Sequence, residues 1–126
     1  MQSFLMVAFG GALGASARYG ISRWTVHHGF VGFPWGTWIV NLSGCFLIGL
    51  ALPWLIHGHH RLYLLLVVGF LGAFTTFSTY SLDTLLQVGL GKPSMALLNA
   101  VGPVVLGFVF VWLGVQTARL LGANWP

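Results

Sequence analysis

Acid is what this chain most lacks: Asp83 is its only acidic side chain, and there is no glutamate. Paired-carboxylate catalysis and carboxylate-built sites for divalent cations are thereby excluded. Charge of either sign is sparse, at 5% of 126 residues, whereas a water-soluble domain carries about a quarter. The bases Arg18, Arg23, Arg61, Lys92 and Arg119 give a net charge of +4. They are too few and too scattered for a nucleic-acid footprint. A pI near 10.0 therefore reflects missing acids more than abundant bases. Cys45 is the single cysteine, so an intrachain disulfide is impossible, and within its apolar run the thiol reads as a small hydrophobe. The apolar segments hold no nucleophile and base pair and no cluster of metal ligands, which argues against an enzyme.

What is there is apolar. Hydrophobic residues make up 57% of the chain, and the mean hydropathy is +0.90. This is the composition of an all-α integral membrane protein in contact with lipid, because backbone polar groups in a bilayer must be satisfied internally. At ~20 residues per crossing, the length allows a single transmembrane domain, 1–126, with four helices. Hydropathy and turn signals place them at about 3–24, 35–56, 62–88 and 95–121. The N-terminal MQSFLMVAFG lacks the positive region of a secretory signal and is read as the start of the first helix.

The first span holds Gly10, Gly11 and Gly14, a spacing that lets another backbone approach closely. Arg18 lies five residues deeper than Arg23, and it either snorkels to the interface or faces an aqueous cavity. The second span is interrupted by Asn41, Ser43 and Gly44. From position alone Asn41 is better read as interhelical glue than as a donor in a permeation path. The pair His27 and His28 and the trio His57, His59 and His60 fall in connections and read as solvated rather than metal-bound.

The third span carries the stretch around which the chain is organised, GFLGAFTTFSTYSLD, Gly69 to Asp83. Glycines and hydroxyls compete with the backbone ladder, so this span is expected to break between Gly69 and Thr76. Carbonyls freed there need donors, water or a cation. Beyond the break, Phe77 and Tyr80 share one face of a half-helix, and Thr76, Thr79 and Asp83 share the adjacent one. The opposing reading, aromatic packing beside hydroxyls bonded to their own helix, stays open at this point. The fourth span holds Asn99, Pro103 and further glycines.

Topology follows from charge. Four crossings place Arg61 and Arg119 on one side and Arg23 and Lys92 on the other, an even count. The positive-inside rule then has no preferred orientation to select. Insertion both ways, with an antiparallel dual-topology dimer, is the simplest consequence.

Three stretches carry a resemblance: GGALGASARY (Gly10 to Tyr19), GTWIVN (Gly36 to Asn41) and GFLGAFTTFSTYS (Gly69 to Ser81). Together they resemble the small bacterial fluoride channels, the Fluc or CrcB family, over essentially the whole chain. The resemblance implies an antiparallel homodimer with two pores in the bacterial inner (plasma) membrane, surrounded by lipid, that passively exports fluoride and relieves its toxicity. It implies a structural sodium ion on the two-fold axis, held by backbone carbonyls at Gly72 and Thr75. It also implies a fluoride pathway through Asn41, Phe77, Ser78, Thr79 and Tyr80, with Arg18 in the vestibule. Asn41 thereby moves from glue to pore. Two departures stand out: Tyr80 occupies the place of a second phenylalanine, and an ungapped placement puts Gly107 and Val111 where the family has pore-side hydroxyls. The second departure leaves room for a heterodimeric partner. The rival is a small multidrug-type four-helix transporter, which looks to need a glutamate in its first helix, where this chain has no acid.

Overall fold

The computed structural model describes residues 1–56 and 58–125. Helix α1 spans Gln2–His27 and α2 spans Trp35–Leu55. Helix α3 covers residues 60–74 in three contiguous pieces, His60–Leu62, Tyr63–Leu71 with the wider five-residue hydrogen-bond spacing, and Gly72–Phe74. Helix α4 is Phe77–Gly89 and α5 is Pro93–Leu120. Taking His60–Gly89 as one interrupted span, four helical segments among the described residues are long and apolar enough to cross a bilayer.

Two close seams hold the bundle together, and glycine creates both. Along α1 and α3, a Cβ at Gly14 would collide with the Phe70 carbonyl, and one at Gly10 with the Leu65 carbonyl. Along α2 and α5, a Cβ at Gly49 would strike the Val111 carbonyl, and one at Gly114 the Phe46 carbonyl. Lipid offers no hydrophobic drive between helices, so backbone proximity of this kind is what membrane packing relies on. One buried apolar cluster joins Val40, Leu71 and Phe74, flanked by Ala17, Ile21, Ile48 and Phe70. Most large apolar side chains of α1, α4 and α5 lie exposed on the single chain.

The third span parts at two residues. Thr75 (φ −77°, ψ 156°) and Thr76 (φ −148°, ψ 121°) are extended between Phe74 and Phe77. Helical winding runs through Gly69 and Gly72, so those glycines do not themselves interrupt the helix. Gly69 serves the α1 seam instead, with Val7 O at 2.8 Å from where a Cβ would stand. Thr76 then starts α4 as its N-cap, its hydroxyl accepting from Thr79 N at 3.2 Å. Such a cap is worth about 1 kcal/mol.

Candidate functional site

The extended pair Thr75 and Thr76 redirects the donors that would have continued the helix. Thr76 N would close a turn on the Gly72 carbonyl, but it donates to Asn41 Oδ1 at 2.8 Å. Thr79 N would reach the Thr75 carbonyl, but it donates to Thr76 Oγ1. The carbonyls of Gly72 and Thr75 thus lose their helical partners, while Ala73 O between them accepts from Arg18 Nε at 3.1 Å. Arg18 is half-buried against this turn and does not simply extend to an interface. Gly44 of α2 makes the space, since a Cβ there would collide with Thr75 Cγ2.

Asn41 grips the interruption from α2. Its Oδ1 accepts from Thr76 N, and its Nδ2 donates to Thr76 O at 3.1 Å. One amide hydrogen is committed by this pairing, and the second is left for another acceptor. The glue reading and the pore reading of Asn41 are therefore compatible.

Around these residues lies a groove of about 380 Å³. Asn41, Gly72, Thr75, Thr76, Phe77 and Tyr80 all line it, together with Cys45, Pro103 and Val104. Phe77 is 79% exposed, and its ring lies 5.5 Å from that of Tyr80. Burial of Phe77 against neighbours within the chain does not account for it. Ser78 is exposed, with its hydroxyl 3.4 Å from Thr76 Oγ1. Thr79 Oγ1 accepts from Thr76 Oγ1 at 3.0 Å and keeps its own hydrogen. The Tyr80 hydroxyl is engaged elsewhere, donating to Ala100 O at 2.6 Å. Only its ring faces the groove as an unassigned group.

The two α5 positions named from the ungapped placement lie against α2. Gly107 is buried with Cys45 Sγ at 3.3 Å from a Cβ position, and the Val111 carbonyl faces Gly49, so both belong to the α2 seam. Helix α5 meets the groove instead through Pro103 and Val104.

Sequence reasoning did not find the polar network behind the groove. Asn99 is fully buried; its Oδ1 accepts from Trp38 Nε1 at 2.7 Å, and its Nδ2 donates to Thr84 Oγ1 at 2.8 Å and Tyr80 O at 3.3 Å. Thr37 Oγ1 donates to Asp83 Oδ2 at 2.6 Å, so the one acid is tied to α2. A buried asparagine in an apolar run was the available signal, but its partners lie up to 61 residues away. Of the histidines, His57 lies outside the described residues, and His27 packs edge-on to His28 at 5.3 Å. Among the described residues, no three His, Cys, Asp or Glu are grouped to hold a metal.

Residues 5–115 match the family described as CrcB-like protein, Camphor Resistance (CrcB). The chain belongs to this family. A CrcB relative from Dehalococcoides mccartyi, named Fluoride-specific ion channel FluC, is 43% identical over 98% of each chain. Another of that name from Thermus thermophilus is 44% identical over 96% of this chain and 97% of its own. A third, from Acidobacterium capsulatum, is 43% identical over 97% of this chain and all of its own. The alignment lengths match those of whole CrcB proteins, so the groove and both glycine seams fall within the shared region.

Proposed function

We propose that the chain is a fluoride-selective passive channel in the bacterial plasma membrane, working as an antiparallel homodimer with two pores. One observation carries the reading most: a single groove gathers Asn41, Phe77 and Tyr80 beside the interrupted backbone of the third span, in a chain matched end to end by proteins named fluoride-specific ion channels.

Fluoride is small and strongly hydrated, so a dry path must replace its water with donors. The second amide hydrogen of Asn41 and the hydroxyls of Ser78 and Thr79 are such donors, and the ring edges of Phe77 and Tyr80 carry partial positive charge. Larger halides are rejected by width. Export needs no energy input: HF enters as a neutral weak acid and dissociates at cytoplasmic pH, and the trapped anion leaves down its gradient. Arg18, held at the interruption by Ala73 O, adds positive charge at the vestibule.

The donor set at the interruption fits a sodium ion. The carbonyls of Gly72 and Thr75 have lost their helical donors, and a hard cation takes oxygen ligands, backbone carbonyls among them. When bound, sodium would offset the exposed carbonyl dipoles with positive charge. Two copies facing each other would each contribute these two oxygens. The exposed apolar faces of α4 and α5 and the even charge count across the membrane support such a pairing.

Expression in a bacterium stripped of fluoride export tests the physiological claim. Growth should be restored at fluoride concentrations that otherwise stop it, and unchanged sensitivity despite membrane-inserted protein would contradict it. A C-terminal reporter should light up on both faces of the membrane; signal on one face alone would sink dual topology.

A further inference from the structure

Asn99 of α5 is fully buried and lies one turn before Pro103 and Val104, the residues through which that helix meets the groove. Its orientation is dictated by Trp38, because an indole N–H can only donate. The amide oxygen must therefore face Trp38 Nε1, at 2.7 Å. Both amide hydrogens are thereby turned toward α4, where they meet Thr84 Oγ1 at 2.8 Å and the Tyr80 carbonyl at 3.3 Å. Thr84, having accepted from Asn99, donates its own hydrogen to the same carbonyl at 2.9 Å. The next residue of α5 takes the other end of Tyr80, since Ala100 O accepts from its hydroxyl at 2.6 Å. Tyr80 is thus held at its backbone and at its phenol by two consecutive residues of α5.

We propose that Asn99 is a positioning residue: it clamps α2, α4 and α5 together at the Tyr80 turn and so fixes where the Tyr80 ring stands in the groove. The functional consequence rests on the fluoride-channel reading, whereas the clamp itself does not. Trp38 belongs to the clamp as its fixed end. Its ring lies over Gly102 of α5, where a Cβ would come 2.5 Å from Trp38 Cη2.

Asn99 and Asn41 are the same residue type in different employment. Asn41 lines the groove and keeps one amide hydrogen for an outside acceptor. Asn99 has both hydrogens and its oxygen engaged within the chain, so it has no donor left for an ion. A buried polar network whose members are all satisfied is rigid, and one with a member removed leaves the others unpaired at apolar depth.

The clamp can be read directly at Tyr80. Tyrosine occurs three times, at positions 19, 63 and 80, so labelling with fluorotyrosine gives three fluorine resonances, and Tyr80→Phe assigns the one from Tyr80. Asn99→Leu removes all three side-chain bonds of Asn99. In that variant the Tyr80 resonance should shift as its ring gains freedom while those of Tyr19 and Tyr63 stay in place, and fluoride efflux from liposomes should slow roughly fivefold per folded protein. Thr84→Val removes one acceptor of the amide and should move the same resonance in the same direction, with efflux slowed about twofold. Should Asn99→Leu fail to fold, Thr84→Val decides. A lower unfolding midpoint with an unmoved Tyr80 resonance would reduce Asn99 to packing glue and overturn the proposal, and a moved resonance with unchanged efflux would overturn its functional half. Should the unsubstituted protein pass no fluoride, the channel reading fails, and the fluorine resonances still test the clamp.

Discussion

The two halves of the third span share one stretch of sequence and are held by different physics. Helix α3 is fixed by backbone contact: Gly10, Gly14 and Gly69 bring its carbonyls and those of α1 together with no side chain between. Helix α4 is fixed by polar groups at one face. Asn41 holds its entry, Asn99 its first turn, Thr37 grips Asp83, and Tyr80 reaches Ala100. Phe77, Leu82 and Leu85 of the same helix stay exposed. Backbone packing makes α3 a rigid frame, whereas hydrogen bonds at discrete points leave α4 with a free face to present to an ion or a second copy.

That contrast ranks substitutions. The largest loss is expected at the frame: Gly14→Val drives a side chain into the Phe70 carbonyl, an overpacking cost of about 3 kcal/mol. Little monodisperse protein should survive extraction in detergent. A folded, well-behaved Gly14→Val protein would show that the α1 seam is looser than the geometry requires.

Asn41→Leu comes next, because it touches both regions. It leaves Thr76 N without its acceptor and removes the side-chain donor to Thr76 O, a penalty of about 1 kcal/mol for part-buried groups. It also removes a donor of the proposed pathway. Unfolding should occur at lower temperature, and fluoride efflux from the surviving protein should fall at least about tenfold.

Phe77→Ile separates the two regions most cleanly. A residue 79% exposed contributes little to the folded chain, so size-exclusion and unfolding profiles should stay unchanged while efflux is abolished. Retained efflux would mean that the aromatic face packs against a neighbour and does not contact the ion. The smallest effect is expected at Ser81→Ala. Its exposed hydroxyl bonds back to Phe77 O in its own helix, and efflux should change less than about twofold.

Much of the frame was legible in the sequence, because long apolar runs and glycine spacing are local signals. Four spans follow from hydropathy, and the reading of Gly10 and Gly14 as close-approach points follows from their positions on one face. The site was legible only in residue type. Glycines and hydroxyls point to Gly69–Thr76 as unsettled, yet the ladder continues through Gly72 and yields only at Thr75 and Thr76. Which residues yield depends on Asn41 capturing Thr76 N from 35 residues away. The same limit hid the Trp38 to Asn99 bond and the destination of the Tyr80 hydroxyl. Local pattern identifies a polar atom that needs a partner, and only the fold identifies the partner.

The division into frame and free face depends on what the free face carries. The most direct measurement is anion efflux from liposomes containing the purified protein, followed for fluoride and chloride in parallel against empty liposomes. The account predicts rapid fluoride release with chloride at the empty-liposome level. Fluoride release no faster than from empty liposomes, or equal release of both halides, would contradict it.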